Sequence, residues 1–228
     1  MRIKKYLITC MIIFATTLQA NAFDDVGSFV RWIFSIPEPK PAIEKSSPEA
    51  FKIATEEATD KLIDINTKTA IPDVTSNEAF LSIVSILSPS DYAQQIKSKL
   101  TLVQYDPTLN DTEKSIAISD IISDYQSVIG DNKEAYINKL KNLSTANKKV
   151  LTEKLAILSK NGTEYIKLGR ISAGTGNKYL SETLAGDNRT PTVDEINSIT
   201  GKLTQRAQAL TYLTRELKNL ARQANISL

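Results

Sequence analysis

The sequence predicts an all-α protein, an irregular helical bundle with a long C-terminal amphipathic helix and a short N-terminal aromatic helix. Apolar residues recur at steps of three and four in successive segments, and no segment of comparable length alternates as a strand would. These segments are punctuated by helix-starting and helix-stopping residues. Near the C-terminus one such pattern runs uninterrupted for about 34 residues, roughly 50 Å of helix.

The chain opens as a secretory signal. Arg2, Lys4 and Lys5 supply a charged start, Tyr6 to Leu18 a short apolar run, and Ala20-Asn21-Ala22 a small-x-small site that predicts cleavage after Ala22. Thr9, Thr16 and Thr17 interrupt the run and make it a poor membrane span. Cys10 raises a lipoprotein alternative, but the apolar run continues past it, whereas a lipidated cysteine should end it.

Residues 23–46 form a second unit. They hold the only tryptophan, Trp32, and three of the six phenylalanines, Phe23, Phe29 and Phe34. Asp24 or Asp25 can cap a helix on which Val26, Phe29, Val30 and Ile33 share helical spacing. Pro37 stops it, and Pro37, Pro39 and Pro41 predict an extended linker through Ser46.

The remaining unit, 47–228, is the helical domain. Ser47-Pro48-Glu49 is a strong helix start, followed by Phe51, Ala54, Ala58, Leu62 and Ile65 on one face. Ile71-Pro72 is expected to end that helix. Thr75 with Glu78 reads as a capping box for a new helix carrying Phe80, Ile83, Val84 and Leu87, and Ser88-Pro89-Ser90-Asp91 breaks again. Asn110 or Asp111 opens a helix with Ile116, Ile121, Ile122, Tyr125 and Ile129, which Gly130 closes. Asp131 and Ser144 look like caps for two further helices, the second with Val150, Leu151, Leu155 and Leu158 and a stop at Asn161-Gly162. Four of the eight glycines lie between 162 and 176, which predicts short or broken helices over 162–190. Thr192 and Glu195 form a further capping box. The long pattern of Ile196, Ile199, Leu203, Leu210, Leu213, Leu217, Leu220 and Ala224 follows.

Composition excludes several chemistries. Cleavage after Ala22 removes Cys10, Met1 and Met11, leaving no Cys, Met or His. That excludes thiolate or imidazole metal sites, disulfides and Ser-His-Asp or Cys-His machinery. No cofactor is implied. Loss of Arg2, Lys4 and Lys5 takes the 28 basic residues to 25 against 26 acidic ones, a net charge of −1, so a basic-protein argument for nucleic-acid binding fails. The chain reads as a non-enzyme.

Three stretches remain that could carry function. Gly174-x-Gly176 resembles a phosphate loop only superficially, because the third glycine is missing and Lys178 is not followed by Ser or Thr. It reads as a helix breaker. Glu56, Glu57, Asp60 and Asp64 could supply a carboxylate pair for glycan hydrolysis, but beside Lys61 on a helix they read as a solvated face. The C-terminal helix sets Lys202, Arg206, Arg215, Lys218 and Arg222 against Glu216 alone. Its stripe (Leu210, Leu213, Leu217, Leu220) either packs in the core with solvated basic flanks or docks on an acidic partner or an anionic membrane periphery. The aromatic residues Phe29, Trp32 and Phe34 point to more than one side of a helix, which makes them candidate anchors for another subunit.

Three stretches carry a resemblance: "SIVSILSPSDYAQQI" (82–96), with its Leu-x-Pro-x-x-Tyr, "YIKLGRISAGTGNKYLSETL" (165–184), and "TPTVDEINSITGKLTQRAQALTYLTRELKNLARQ" (190–223). Together they resemble the periplasmic IcmX component of Dot/Icm type IVB secretion systems. The resemblance implies an exported, non-enzymatic accessory of a secretion channel with no catalytic residues. Its expected partners are other envelope or secretion-system proteins in the periplasm. The alternative expectation is a secreted helical effector or host-directed binder.

Overall fold

A computed structural model describes residues 48–183 and 191–227, all within the unit Ile43–Leu228. The described residues form six α-helices and no strand: α1 Pro48–Leu87, α2 Ser90–Tyr105, α3 Asp111–Asp131, α4 Lys133–Lys141, α5 Thr145–Thr183 and α6 Pro191–Gln223. The predicted all-α class is the observed one. The signal-like start, the aromatic segment and the proline linker lie outside the described residues.

Three long helices make the trunk. α1 runs antiparallel to α5, with Thr55 level with Tyr179 and Pro72 level with Asn161. α5 runs antiparallel to α6, with Ser172 level with Thr200. α6 is the central element: Leu203, Leu210, Leu213, Leu217 and Leu220 are all fully buried. α3 packs along it, and α4 reaches it through Lys133 and Glu216 at 3.5 Å.

Several helix signals act as read from the sequence. Pro48 is the first helical residue of α1. Asn110 caps α3 in a full capping box: its Oδ1 accepts from the amides of Thr112 and Glu113 at 2.9 and 3.0 Å, and Glu113 Oε2 accepts from the Asn110 amide at 2.8 Å. Ser144 Oγ accepts from the Asn147 amide at the start of α5. α6, with 33 residues, matches the predicted long helix, although Thr192 lies inside it rather than capping it.

Other signals do not act as read. α1 continues through Pro72, so Thr75 is no cap: its hydroxyl donates back to the Ile71 carbonyl at 2.9 Å. α5 continues through Asn161-Gly162 and all four glycines to Thr183, where broken helices were expected. Gly130 lies inside α3, and α4 starts after Asn132 rather than at Asp131. α2 carries only two buried residues, Ile96 and Leu100, too few for its stripe to stand out in the sequence.

At the end of the trunk where α1 finishes, an aromatic cluster joins α1 to α4. The Tyr125 ring, 0% exposed, meets Phe80 edge-on at 5.5 Å, stacks near Tyr92 at 6.3 Å and meets Tyr136 edge-on at 6.3 Å. Such pairs add about 0.5–1.5 kcal/mol each beyond area burial. The Tyr125 hydroxyl shares a 3.0 Å hydrogen bond with Ser88 Oγ, which fixes the α1–α2 corner. The Leu87-Ser88-Pro89-Ser90-Asp91-Tyr92 stretch is therefore a packed corner of the fold.

Candidate functional site

Near the midpoints of the three long helices lies a layer of polar side chains inside an otherwise apolar trunk. It surrounds the turn that begins at Pro72. A proline within a helix donates no amide bond, so the Lys68 carbonyl one turn back loses its partner. From α5, Asn161, 6% exposed, bridges the turn that follows: Nδ2 donates to the Pro72 carbonyl at 3.3 Å, Thr75 Oγ1 at 2.8 Å and Ser76 Oγ at 2.9 Å. One turn along α5, the Tyr165 hydroxyl donates to Asp73 Oδ1 at 2.5 Å.

The cation of this layer comes from α6. Arg206 is 0% exposed; its Nη2 donates to Asn77 Oδ1, and its Nε lies 3.8 Å from Asp73 Oδ1. At 3.8 Å the contact is ionic but not a hydrogen bond. Nε and Nη1 have no hydrogen-bond partner. Asp73 keeps 31% of its side-chain surface in solvent, so one end of the pair is wet and the other dry. Burial pushes the Tyr165 phenol well above its ordinary range, with Arg206 pulling it down and Asp73 pushing it up. The layer therefore holds a neutral phenol between a carboxylate and a guanidinium. It is built to position three helices.

Arg206 and Lys202, expected from the sequence as solvated basic flanks, are buried instead: Lys202 is 4% exposed and Arg206 lies fully inside. The basic residues nearer the C-terminus stay at least partly exposed, with the Arg215 guanidinium 5.0 Å from the Tyr212 ring centroid.

Starting within the layer, α5 meets α6 along a glycine seam. Gly162, Gly169 and Gly176 recur every seven residues and face Leu210, Leu203 and Ile196, which also recur every seven. A methyl group at Gly162 would sit 3.2 Å from Thr211 Oγ1, and one at Gly176 would sit 3.0 Å from Ile196 Cγ2. These glycines let two helix backbones approach each other; they do not break α5. Gly174-x-Gly176 is helical and forms no phosphate-binding loop.

The remaining sequence-singled residues fall into three groups. Phe29, Trp32 and Phe34 lie outside the described residues. Leu210, Leu213, Leu217 and Leu220 are each 0% exposed within the chain's own core, so their side chains are already covered. Truncating any of them would cost about 2–5 kcal/mol of fold stability. The carboxylates of α1 stand on its exposed side, where Glu57 meets Lys178 at 2.5 Å, Asp64 meets Lys68 at 2.6 Å and Glu56 meets Lys52 at 3.8 Å. The Lys178 hydrogen bond and charge hold the Glu57 carboxyl below its ordinary range.

One feature escaped the sequence reading. On the outer side of α1, away from Ala58, Leu62 and Ile65, stand Ile53, Ile63, Ile71 and Val74, between 51% and 75% exposed. At 100° per residue these four share a sector of about 80° over roughly 32 Å, with exposed Glu56, Asp60 and Thr67 between them in the same sector. Their spacing is wide, with polar residues between them, so no apolar stripe stands out in the sequence there.

Among the described residues no helix is long and apolar enough to cross a membrane, and no three acidic side chains are grouped to hold a metal ion. Comparison with protein-family models, curated proteins and solved structures gives no match to this chain.

Proposed function

We propose that this chain is a non-enzymatic accessory of a bacterial envelope machine, of the type IVB secretion kind, that works through protein–protein contacts. The observation that carries the reading is the exposed apolar side of α1. Four branched side chains spaced over several helix turns, with the carboxylates of Glu56 and Asp60 in the same sector, present a mixed apolar and acidic surface suited to a partner helix. The secretory-signal pattern and the resemblance of 82–96, 165–184 and 190–223 to the periplasmic IcmX component support this reading of compartment and machine.

A photo-crosslinking residue at Ile63 or Ile71, activated in the native envelope, should capture a secretion-channel or envelope subunit identifiable by mass spectrometry. A clean deletion should impair secretion, and normal secretion in that strain would defeat the proposal. Accumulation of the protein in culture fluid would point instead to a secreted helical binder.

A further inference from the structure

We infer that residues 48–71, the part of α1 before Pro72, form a strap that undocks from the trunk as a unit while the rest of α1 stays bound. The two parts of α1 are held very differently. Residues 48–71 bury only Ala54, Ala58, Leu62, Ile65 and Thr69, two of them alanines, whereas the shorter stretch 73–87 buries Ser76, Ala79, Phe80, Ile83, Val84 and Leu87. A region with little buried apolar surface opens at a lower free energy than the global fold.

Polar contacts divide in the same way. Pro72, Asp73, Thr75, Ser76 and Asn77 are all held by the Asn161, Tyr165 and Arg206 side chains. N-terminal to them, the polar contacts of α1 with α5 among the described residues are Glu57–Lys178, more than half exposed on both sides, and a 3.5 Å contact between Thr55 Oγ1 and the Tyr179 hydroxyl. The exposed ion pair contributes little, and at 3.5 Å the hydroxyl contact is long for a hydrogen bond. Between the two regimes stands a proline, which leaves α1 one ladder bond short at the point where it passes from loosely to firmly held. Undocking uncovers the face of α5 that holds Tyr179, 2% exposed beneath Phe51.

Hydrogen exchange of the full-length chain, followed by mass spectrometry, tests the inference. Amides of 55–70 should exchange at least a hundredfold faster than amides of 79–87. Leu62→Ala should speed exchange in 55–70 at least tenfold further and leave 79–87 within threefold of the parent. Pro72→Ala, which restores a donor for the Lys68 carbonyl, should slow exchange in 55–70 at least tenfold. Equal protection of the two segments in the parent, or a Leu62→Ala effect of the same size in both, would overturn the strap. A Pro72→Ala variant with unchanged protection would overturn the hinge.

Discussion

The glycine seam allows packing to be measured with backbone propensity cancelled. Gly174 and Gly176 lie two residues apart in α5, and both gain about 1 kcal/mol of helix propensity on substitution by alanine. They differ in what the new methyl group meets. At Gly174 nothing lies within 4 Å, whereas at Gly176 the methyl would lie 3.0 Å from Ile196 Cγ2. Carbon atoms prefer roughly 3.5–4.0 Å, and Ile196, 3% exposed and branched at Cβ, has little freedom to turn aside. The helices must then part locally, an overpacking cost of about 1–3 kcal/mol. Gly174→Ala should raise the melting temperature by about 2–4 °C, given a response of that size per kcal/mol in a domain of this length. Gly176→Ala should leave it unchanged or lower it. Urea denaturation followed by circular dichroism gives both free energies, and their difference should equal the overpacking cost. Equal stabilisation by both substitutions would show that α5 and α6 do not approach closely at this level, and the seam would be wrong.

The polar layer predicts an unequal pair. Arg206→Met removes a buried cation and leaves Asp73 to water, so it should be nearly neutral; Asp73→Ala strands the guanidinium and should cost near the lower end of about 3–5 kcal/mol, since Asp73 is already partly wet. Chemical denaturation reads both, and a larger loss for Arg206→Met would refute the assignment. Burial raises the phenols of both Tyr125 and Tyr165 above the ordinary 10.0, so the folded state keeps protons that the unfolded state releases. The stability they contribute is complete below pH 10 and is lost as pH rises further. Burial also raises the Tyr92 phenol, so a spectrophotometric titration of the folded chain should fall at least two tyrosines short of the unfolded one until alkaline unfolding. Glu57 should titrate below a glutamate's ordinary 4.5, returning toward it in Lys178→Met. Its folded value is depressed, so its small contribution is present above that pH and is lost as pH falls through the folded value, which a carboxyl NMR titration can follow.

The fold class was legible because burial follows the three-and-four spacing almost residue for residue: Ala54, Ala58, Leu62 and Ile65 face inward as their spacing requires. The misreadings concern residues whose local preference a neighbouring helix overrides. Pro72 reads as a stop, yet α1 continues through it, and Asn161, eighty-nine positions away, docks on the turn it begins. Gly162 reads as a stop, yet the close approach of α6 gives its missing side chain a use. Arg206 reads as surface because nothing in its own segment supplies Asp73 or Asn77. The seven-residue glycine period was present in the sequence and could have been found by asking which residues face glycines at the same interval.

That same period creates a problem that the polar layer resolves. Gly162, Gly169 and Gly176 against Leu210, Leu203 and Ile196 is a pattern that nearly matches itself after a slip of one seven-residue repeat. Apolar packing alone would therefore select the α5–α6 register weakly. Asn161, Tyr165 and Arg206 have no such repeat, and in any other register Arg206 would be buried away from Asp73 and Asn77. A buried polar group that can be satisfied in only one alignment is a known way to specify register at some cost in stability. Cysteines at Ser172 and Thr200, whose hydroxyls lie 2.8 Å apart, should crosslink in the native alignment. Cysteines at Ser172 and Ala207 report the alignment one repeat away. In a chain also carrying Asn161→Leu and Arg206→Met, the second crosslink should appear beside the first. If only the native crosslink forms in that chain, the apolar stripes fix the register without help, and the polar layer serves Pro72 alone.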